Sequence, residues 1–195
     1  MTSVFFDVDS QLDFLYPAGA LYVPRAERIV PAIARLNRHA AQHGIPVIST
    51  ADAHFEDDPE FRVWPRHCVA GTLGQRKPES TLLDRRVTIP NRDCEVAIEG
   101  AQQIIVEKQT VDVFAAPNLA RVLYRLPADR YVVYGVVTEI CVLNAARGLL
   151  KLGKPVLVVA DAIQTLKAED SARALAQIRS LGGQCVGLSE ITSLP

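Results

Sequence analysis

The sequence predicts a three-layer α/β fold: a doubly wound, mostly parallel sheet of six strands with helices on both faces. Three observations carry this prediction. Short β-branched or apolar runs alternate with helix-length segments along most of the 195 residues, the order that repeated strand–helix–strand units produce. The strand runs include apolar stretches such as YVVYGVV (131–137), which suit strands covered on both faces. The helical segments close at glycines, where a left-handed cap ends a helix without steric cost.

Taken in order, SVFFDVD (3–9) reads as the first strand. Residues 24–44 read as a helix, with Ile29, Ile33 and Leu36 at helical spacing and Gly44 as the stop. IPVISTAD (45–52) is the second strand, QQIIVEK (102–108) the third and YVVYGVV (131–137) the fourth. TEICVLNAARGLLKLG (138–153) is a helix ending at Gly153, and PVLVVAD (155–161) is the fifth strand. AEDSARALAQIRSLGG (168–183) is a helix stopped by a glycine pair, and QCVGL (184–188) is a short sixth strand. Residues 53–101 are the exception, rich in proline, charge and histidine but without clear periodicity. RRVTI (85–89) reads there as at most a minor strand. An irregular insertion of this length in a compact domain is expected to wall a pocket. No repeat, low-complexity tract or linker interrupts the chain, so one domain over 1–195 is expected.

Composition removes several classes of function. Hydrophobic residues make up 49% of the chain, too many for a disordered protein. The net charge is −1 with both signs interspersed, so no basic stripe points to nucleic acid. No apolar run approaches the roughly 20 residues that span a bilayer. The N-terminus enters a strand without a leader pattern, which suggests a cytoplasmic protein. Cys68, Cys94, Cys141 and Cys185 are far apart and form no C-x-x-C pair. That argues against a zinc ribbon or disulfide framework. Cys68, Cys94 and Cys185 receive no role.

Ligands of open α/β sheets bind beyond the carboxyl ends of the strands. Asp9 follows the first strand, Asp52 and His54 the second, Lys108 ends the third, Cys141 follows the fourth and Asp161 ends the fifth. Cys141 stands near a helix start, where the dipole lowers a thiol pKa. Lys108 would lower it further, and Asp9 could accept its proton. Each residue alone has a plainer reading: a buried cysteine packing a helix start, a solvated lysine, a capping aspartate. Their conjunction is what points to a nucleophile. Asp52 and His54 lie two apart on extended chain and share a face. His67 can complete a two-histidine, one-carboxylate set for a divalent metal, zinc or iron, which the sequence does not separate. His39 and His43, at i and i+4, read as solvated or dipole partners rather than ligands. Phe14 and Trp64 are core residues or a sandwich for a flat ring. Asp13 is expected to position the Asp9 loop or Lys108, and Asp161 to be structural.

These residues resemble the isochorismatase-like cysteine hydrolases, and among them the nicotinamidases, along nearly the whole chain. DSQLDF (9–14) resembles the first-strand motif D-x-Q-x-D-F. DAH (52–54) with WPRHC (64–68) and GT (71–72) resembles the nicotinamidase metal segment. EK (107–108) matches the family lysine, and GVVTEICV (135–142) resembles the nucleophile motif G-x-x-T-x-x-C-V. The resemblance implies a Rossmann-like, isochorismatase-like hydrolase fold. It implies a catalytic set of Asp9, Lys108 and Cys141, and a metal on Asp52, His54 and His67. It implies an oxyanion hole from the N–H groups of Val137 and Cys141, with a cis peptide before Val137, and ring contacts from Phe14 and Trp64. The segment 55–63 lacks the extra histidine that some nicotinamidases carry there. The expected activity is hydrolysis of a small primary amide, nicotinamide first, with a small-molecule substrate and neither nucleic acid nor membrane as partner. Apolar helix faces would permit a homo-oligomer. Three other readings stand beside it: another amidase or carbamoyl hydrolase with the same triad, a hydrolase whose metal-bound water attacks, and a non-catalytic thiol or ligand-binding protein.

Overall fold

The computed structural model describes residues 2–193. In chain order the elements are β1 (Ser3–Val8), α1 (Leu12–Leu15), α2 (Val30–Gln42), β2 (Val47–Asp52), β3 (Arg86–Ile89), β4 (Gln103–Lys108), α3 (Leu119–Arg125), β5 (Arg130–Val136), α4 (Leu143–Lys151), β6 (Val156–Gln164), α5 (Ala168–Ser180), β7 (Gln184–Val186) and α6 (Leu188–Thr192). The strands form one sheet in the order β3-β4-β2-β1-β5-β6-β7. Every neighbouring pair is parallel.

Side-chain alternation along the strands builds two apolar layers. Val4, Phe6 and Val8 of β1 face a cluster that holds Leu119 of α3, Leu149 of α4 and Ile178 of α5. Phe5 points the other way, into a cluster with Ile33 and Leu36 of α2 and Ile191 of α6. Each fully buried side chain of this kind stabilises by roughly 1.5–3 kcal/mol. Helices therefore cover both faces, as the apolar strands require.

The sheet has seven strands rather than the six expected. The seventh is β3, within the segment read as a minor strand. It has four residues, lies at the sheet edge and buries only Ile89 fully. So short an edge strand carries no alternation to announce it, and its pairing with β4 holds it in place. The helix expected over 24–44 begins as a tight 3-10 turn at Ala26–Ile29, and α2 starts with Pro31 in its first turn, where the missing N–H costs nothing. The short helices α1, α3 and α6 have no counterpart among the helices that periodicity predicts.

The chain leaves β1 for β2 on one side and returns to β5 on the other, so β1 and β5 flank the point where strand order reverses. Gly135 makes the close β1–β5 packing feasible. Its φ is +119°, and a Cβ there would stand 2.0 Å from the Val8 carbonyl oxygen. Register then sets Asp52 and Lys108 side by side at the ends of β2 and β4.

The irregular segment is tied down by buried polar groups. Lys77 Nζ lies 3.2 Å from Asp7 Oδ2 and 2.9 Å from Ser10 Oγ. Asn37 donates to the Thr81 carbonyl at 2.6 Å, and Gln103 Oε1 accepts from the Leu83 N–H at 2.8 Å. Paired in this way, buried polar atoms anchor the insertion across the strands instead of destabilising it. Among the described residues no helix is long and apolar enough to cross a membrane.

Candidate active site

Asp9, Lys108 and Cys141 converge at the carboxyl edge of the sheet. Asp9 leaves β1 with φ of 47°, in the left-handed region, which aspartate tolerates better than most residues. This turn aims its carboxylate back over the sheet edge. Lys108 Nζ sits 2.9 Å from Asp9 Oδ2, 2.5 Å from Asp52 Oδ1 and 4.0 Å from Cys141 Sγ. Lys108 is 1% exposed. Burial works against its charge, but Asp52, Asp9 and Cys141 outweigh that and hold its pKa well above the ordinary lysine range. It is a fixed cation. Burial raises the Asp9 carboxyl; Lys108 opposes the rise and Asp52 adds to it.

Cys141 lies in a wide, π-helical turn, Thr138–Val142, that leads into α4. Single turns of this kind recur at functional sites. The peptide between Val136 and Val137 is cis, as the family resemblance implies. The sequence predicts a thiol pKa lowered by the helix start and Lys108, and here the structure differs. Burial raises the thiol well above its ordinary value, and Asp9 and Asp52 add to this, so Lys108 does not prevail. Burial thus favours the protonated form of the thiol.

Asp52, His54 and His67 form a second, buried cluster whose ligand atoms all lie within 4.8 Å of one another. Asp52 Oδ2 is 3.9 Å from His54 Nε2 and 3.8 Å from His67 Nε2. The opposite ring nitrogens are engaged: His54 Nδ1 with Asp58 Oδ2 at 3.0 Å, and His67 Nδ1 with the Pro65 carbonyl at 2.7 Å. Those contacts direct both Nε2 atoms inward, the arrangement by which outer partners orient metal ligands. Buried His54 Nε2 has no hydrogen-bond partner, which is costly unless an ion takes its lone pair. The Asp52 carboxyl lies well below the usual range because Lys108 and both histidines outweigh its burial. An ionised carboxylate and two directed imidazoles fit a divalent cation such as zinc or iron.

Between the two clusters opens a narrow cavity. Its walls are apolar, with Phe14, Trp64, Val137 and Leu166 among them, and Asp9, Cys141, Asp52 and His67 supply its polar groups. This is the usual make-up of a small-molecule site: an apolar slot with a few convergent polar atoms. Lys108 and His54 stand behind the wall. A larger hollow lies at the opposite end of the sheet, where His39 and His43 are found, away from this chemistry.

Sequence reasoning missed several participants. Glu60, from the acidic 55–63 stretch, also lines the cavity, and burial with the Asp52 charge raises its carboxyl. Gln11 clamps Asp52 by accepting from its N–H at 2.7 Å and donating to its carbonyl at 2.9 Å; its place in D-x-Q-x-D-F was the available signal. Asp13 does not act on Asp9 or Lys108. Its carboxylate accepts from the Cys68 N–H at 2.7 Å and the Ala20 N–H at 2.9 Å, and so fixes the segment that carries His67. A Cβ on Gly74 would collide with that carboxylate. Asp161 caps α6 through the Leu188 N–H at 2.6 Å, a structural role as expected.

The fold has known counterparts. The profile of the isochorismatase domain family matches residues 3–190. The nicotinamidase of Saccharomyces cerevisiae is 25% identical over 182 residues, covering 79% of this chain and 84% of its own. Among solved structures, the pyrazinamidase of Pyrococcus horikoshii in complex with zinc superposes with a TM-score of 0.79 at 31% identity, over 96% of this chain and 99% of that one. The nicotinamidase of Bacillus subtilis superposes with a TM-score of 0.82 at 25% identity, over 95% and 99%. With matched sequence from the first strand to the last helix and the same α/β framework, this chain belongs to the isochorismatase domain family.

Proposed function

We propose that the protein is a cysteine-dependent amide hydrolase that releases ammonia from a small primary amide through a thioester, with nicotinamide as its substrate. The observation that carries this reading is the pairing, across one apolar cavity, of the Cys141–Lys108–Asp9 cluster with the Asp52–His54–His67 cluster. Family membership and the nicotinamidases and pyrazinamidase among its relatives support it.

In this mechanism Asp9 takes the Cys141 proton, and Lys108 steadies the thiolate as it forms. The sulfur attacks the amide carbonyl. The N–H groups of Val137 and Cys141 hold the oxyanion; each such donor is worth roughly 10²–10³ in rate. Asp9 passes the proton to the departing nitrogen, the C–N bond breaks and ammonia leaves. A water then gives a proton to Asp9 and attacks the thioester; the C–S bond breaks and Cys141 regains its proton. Phe14 and Trp64 flank the ring. Asp52, His54 and His67 would hold zinc or iron, which when bound supplies a Lewis-acid site for a lone pair of the substrate ring. We read the chain as one domain over 1–195, acting on a small molecule in the reducing cytoplasm.

The test is ammonia release from nicotinamide by metal-loaded protein beside its Cys141→Ala variant. Rapid release by the parent and none by the variant is expected. Release by both would replace the thiol mechanism with attack by metal-bound water. Glu60 favours a second reading: its carboxylate could accept an N–H from a ureido substrate. Turnover of ureido acids but not nicotinamide would select that carbamoyl-hydrolase reading.

A further inference from the structure

Glu139 gathers three consecutive residues of the connection after β6. Its Oε2 accepts from the Thr165 hydroxyl at 2.6 Å, and its Oε1 accepts from the N–H of Leu166 at 3.0 Å and of Lys167 at 3.3 Å. Next to it, the Thr138 hydroxyl donates to the Gln164 carbonyl at 2.9 Å. Residues 164–167 are thus fastened to the same turn that presents Cys141. Leu166 lies beyond Gln164, where β6 ends, so the strand ladder does not set its position. Yet Leu166 lines the cavity together with Ile140 and Cys141.

We propose that Glu139 is a positioning residue that, acting through Leu166, sets the cavity's preference for a flat, ring-bearing amide over a small aliphatic one. The proposal rests on the reading of the Cys141 cavity as the amide site. A carboxylate that accepts two backbone N–H groups and a hydroxyl makes charge-assisted bonds, stronger than neutral ones. It holds the Leu166 side chain at a fixed height above the slot. A ring filling the slot packs against that side chain; an acyl group of two or three carbons needs little of it. Releasing the clamp should therefore weaken ring binding and leave bond-breaking at Cys141 largely as it was.

The experiment uses the full, metal-loaded chain and the variants Glu139→Ala, Glu139→Gln and Leu166→Ala. Two readouts are taken: kcat and KM on nicotinamide, and alkylation rates of Cys141 by iodoacetamide and by bulkier N-phenylmaleimide, followed on the Cys141-bearing peptide by mass spectrometry. In Glu139→Ala the nicotinamide KM should rise about tenfold, the scale of a lost apolar contact in a pocket, with a smaller change in kcat. The ratio of phenylmaleimide to iodoacetamide rates should fall with it, because the phenyl ring loses the same contact. Glu139→Gln keeps an oxygen for both N–H donors and should recover most of the discrimination. Leu166→Ala should reproduce the Glu139→Ala shifts, and the double variant should add nothing to them. Parental KM and parental alkylation ratio in Glu139→Ala would overturn the proposal. So would a fall in kcat alone, or simple addition of the two effects. If Glu139→Ala does not fold, Leu166→Ala and Glu139→Gln still decide, by lowering the ratio and by preserving it respectively. A parent inactive on nicotinamide would count against the amide reading, while the alkylation ratio would still decide the clamp.

Discussion

Thr50 and Asp9 make a reciprocal pair: the Asp9 N–H donates to Thr50 Oγ1 at 3.1 Å, and that hydroxyl donates back to Asp9 Oδ1 at 2.5 Å. Both residues are buried, Asp9 just beyond the end of β1 and Thr50 within the adjacent β2. One oxygen of the carboxylate is thereby occupied. Oδ2, which has no directed hydrogen bond, faces Lys108 Nζ at 2.9 Å.

Thr50→Val keeps the shape and removes the hydroxyl. It should lower kcat by roughly tenfold or more, part of the 10²–10⁴ that a placed general base supplies, and leave KM nearly unchanged. Steady-state kinetics with a urea titration check this. Unaltered kcat would show that the Asp9 carboxylate needs no such partner.

Lys108 pairs with Asp9 and Asp52 at once, a single ammonium between two carboxylates. Lys108→Met removes that shared counter-charge from both buried acids. The expected cost is about 3–5 kcal/mol of stability, the range for breaking a buried ion pair from one side. Denaturant unfolding measures it, and activity should vanish together with the stability.

Metal affinity should depend on Asp58, which touches His54 Nδ1 but is not among the clustered ligands. Asp58→Asn should weaken binding by about 10–100-fold, as loss of an orienting partner does. Competition against a chromogenic chelator, run separately with zinc and with ferrous iron, provides the constants. His67→Ala should weaken binding further, because it deletes a ligand.

The thiol predicts a pH dependence whose sign follows from its raised pKa. An acid with a raised pKa stays protonated to higher pH. Alkylation of Cys141 by iodoacetamide in metal-free protein should therefore remain slow through neutral pH and accelerate only above the ordinary cysteine range. Asp9 is one of the groups that raises the thiol, so Asp9→Asn should shift the onset to lower pH. Fast alkylation of the parent at pH 7 would contradict the burial argument.

Much of the fold was legible because its signals are local. The runs at 3–9, 45–52, 102–108 and 131–137 all became strands, since a strand buried on both faces is largely apolar along its length. Strand β3 was only faintly legible, because an exposed edge strand of four residues needs no such pattern. Cys141, Lys108, Asp9, Asp52 and His54 could be nominated because each stands at or just after a strand end, and topology brings strand ends together.

What the sequence determined by itself is the parallel sheet, the set of reactive side chains and the edge on which they gather, since periodicity and chemical type are properties of short segments. What only the tertiary structure decided is how those groups act on one another. The Cys141 thiol is raised rather than lowered because two carboxylates from other strands and near-complete burial oppose one lysine. Asp13 serves the His67 segment because residue 68 folds back across 55 positions to meet it. Glu139 holds Leu166 because the end of β6 passes beside the turn that carries Cys141. Burial and through-space charge depend on distances between residues remote in the chain, and no local pattern encodes those distances.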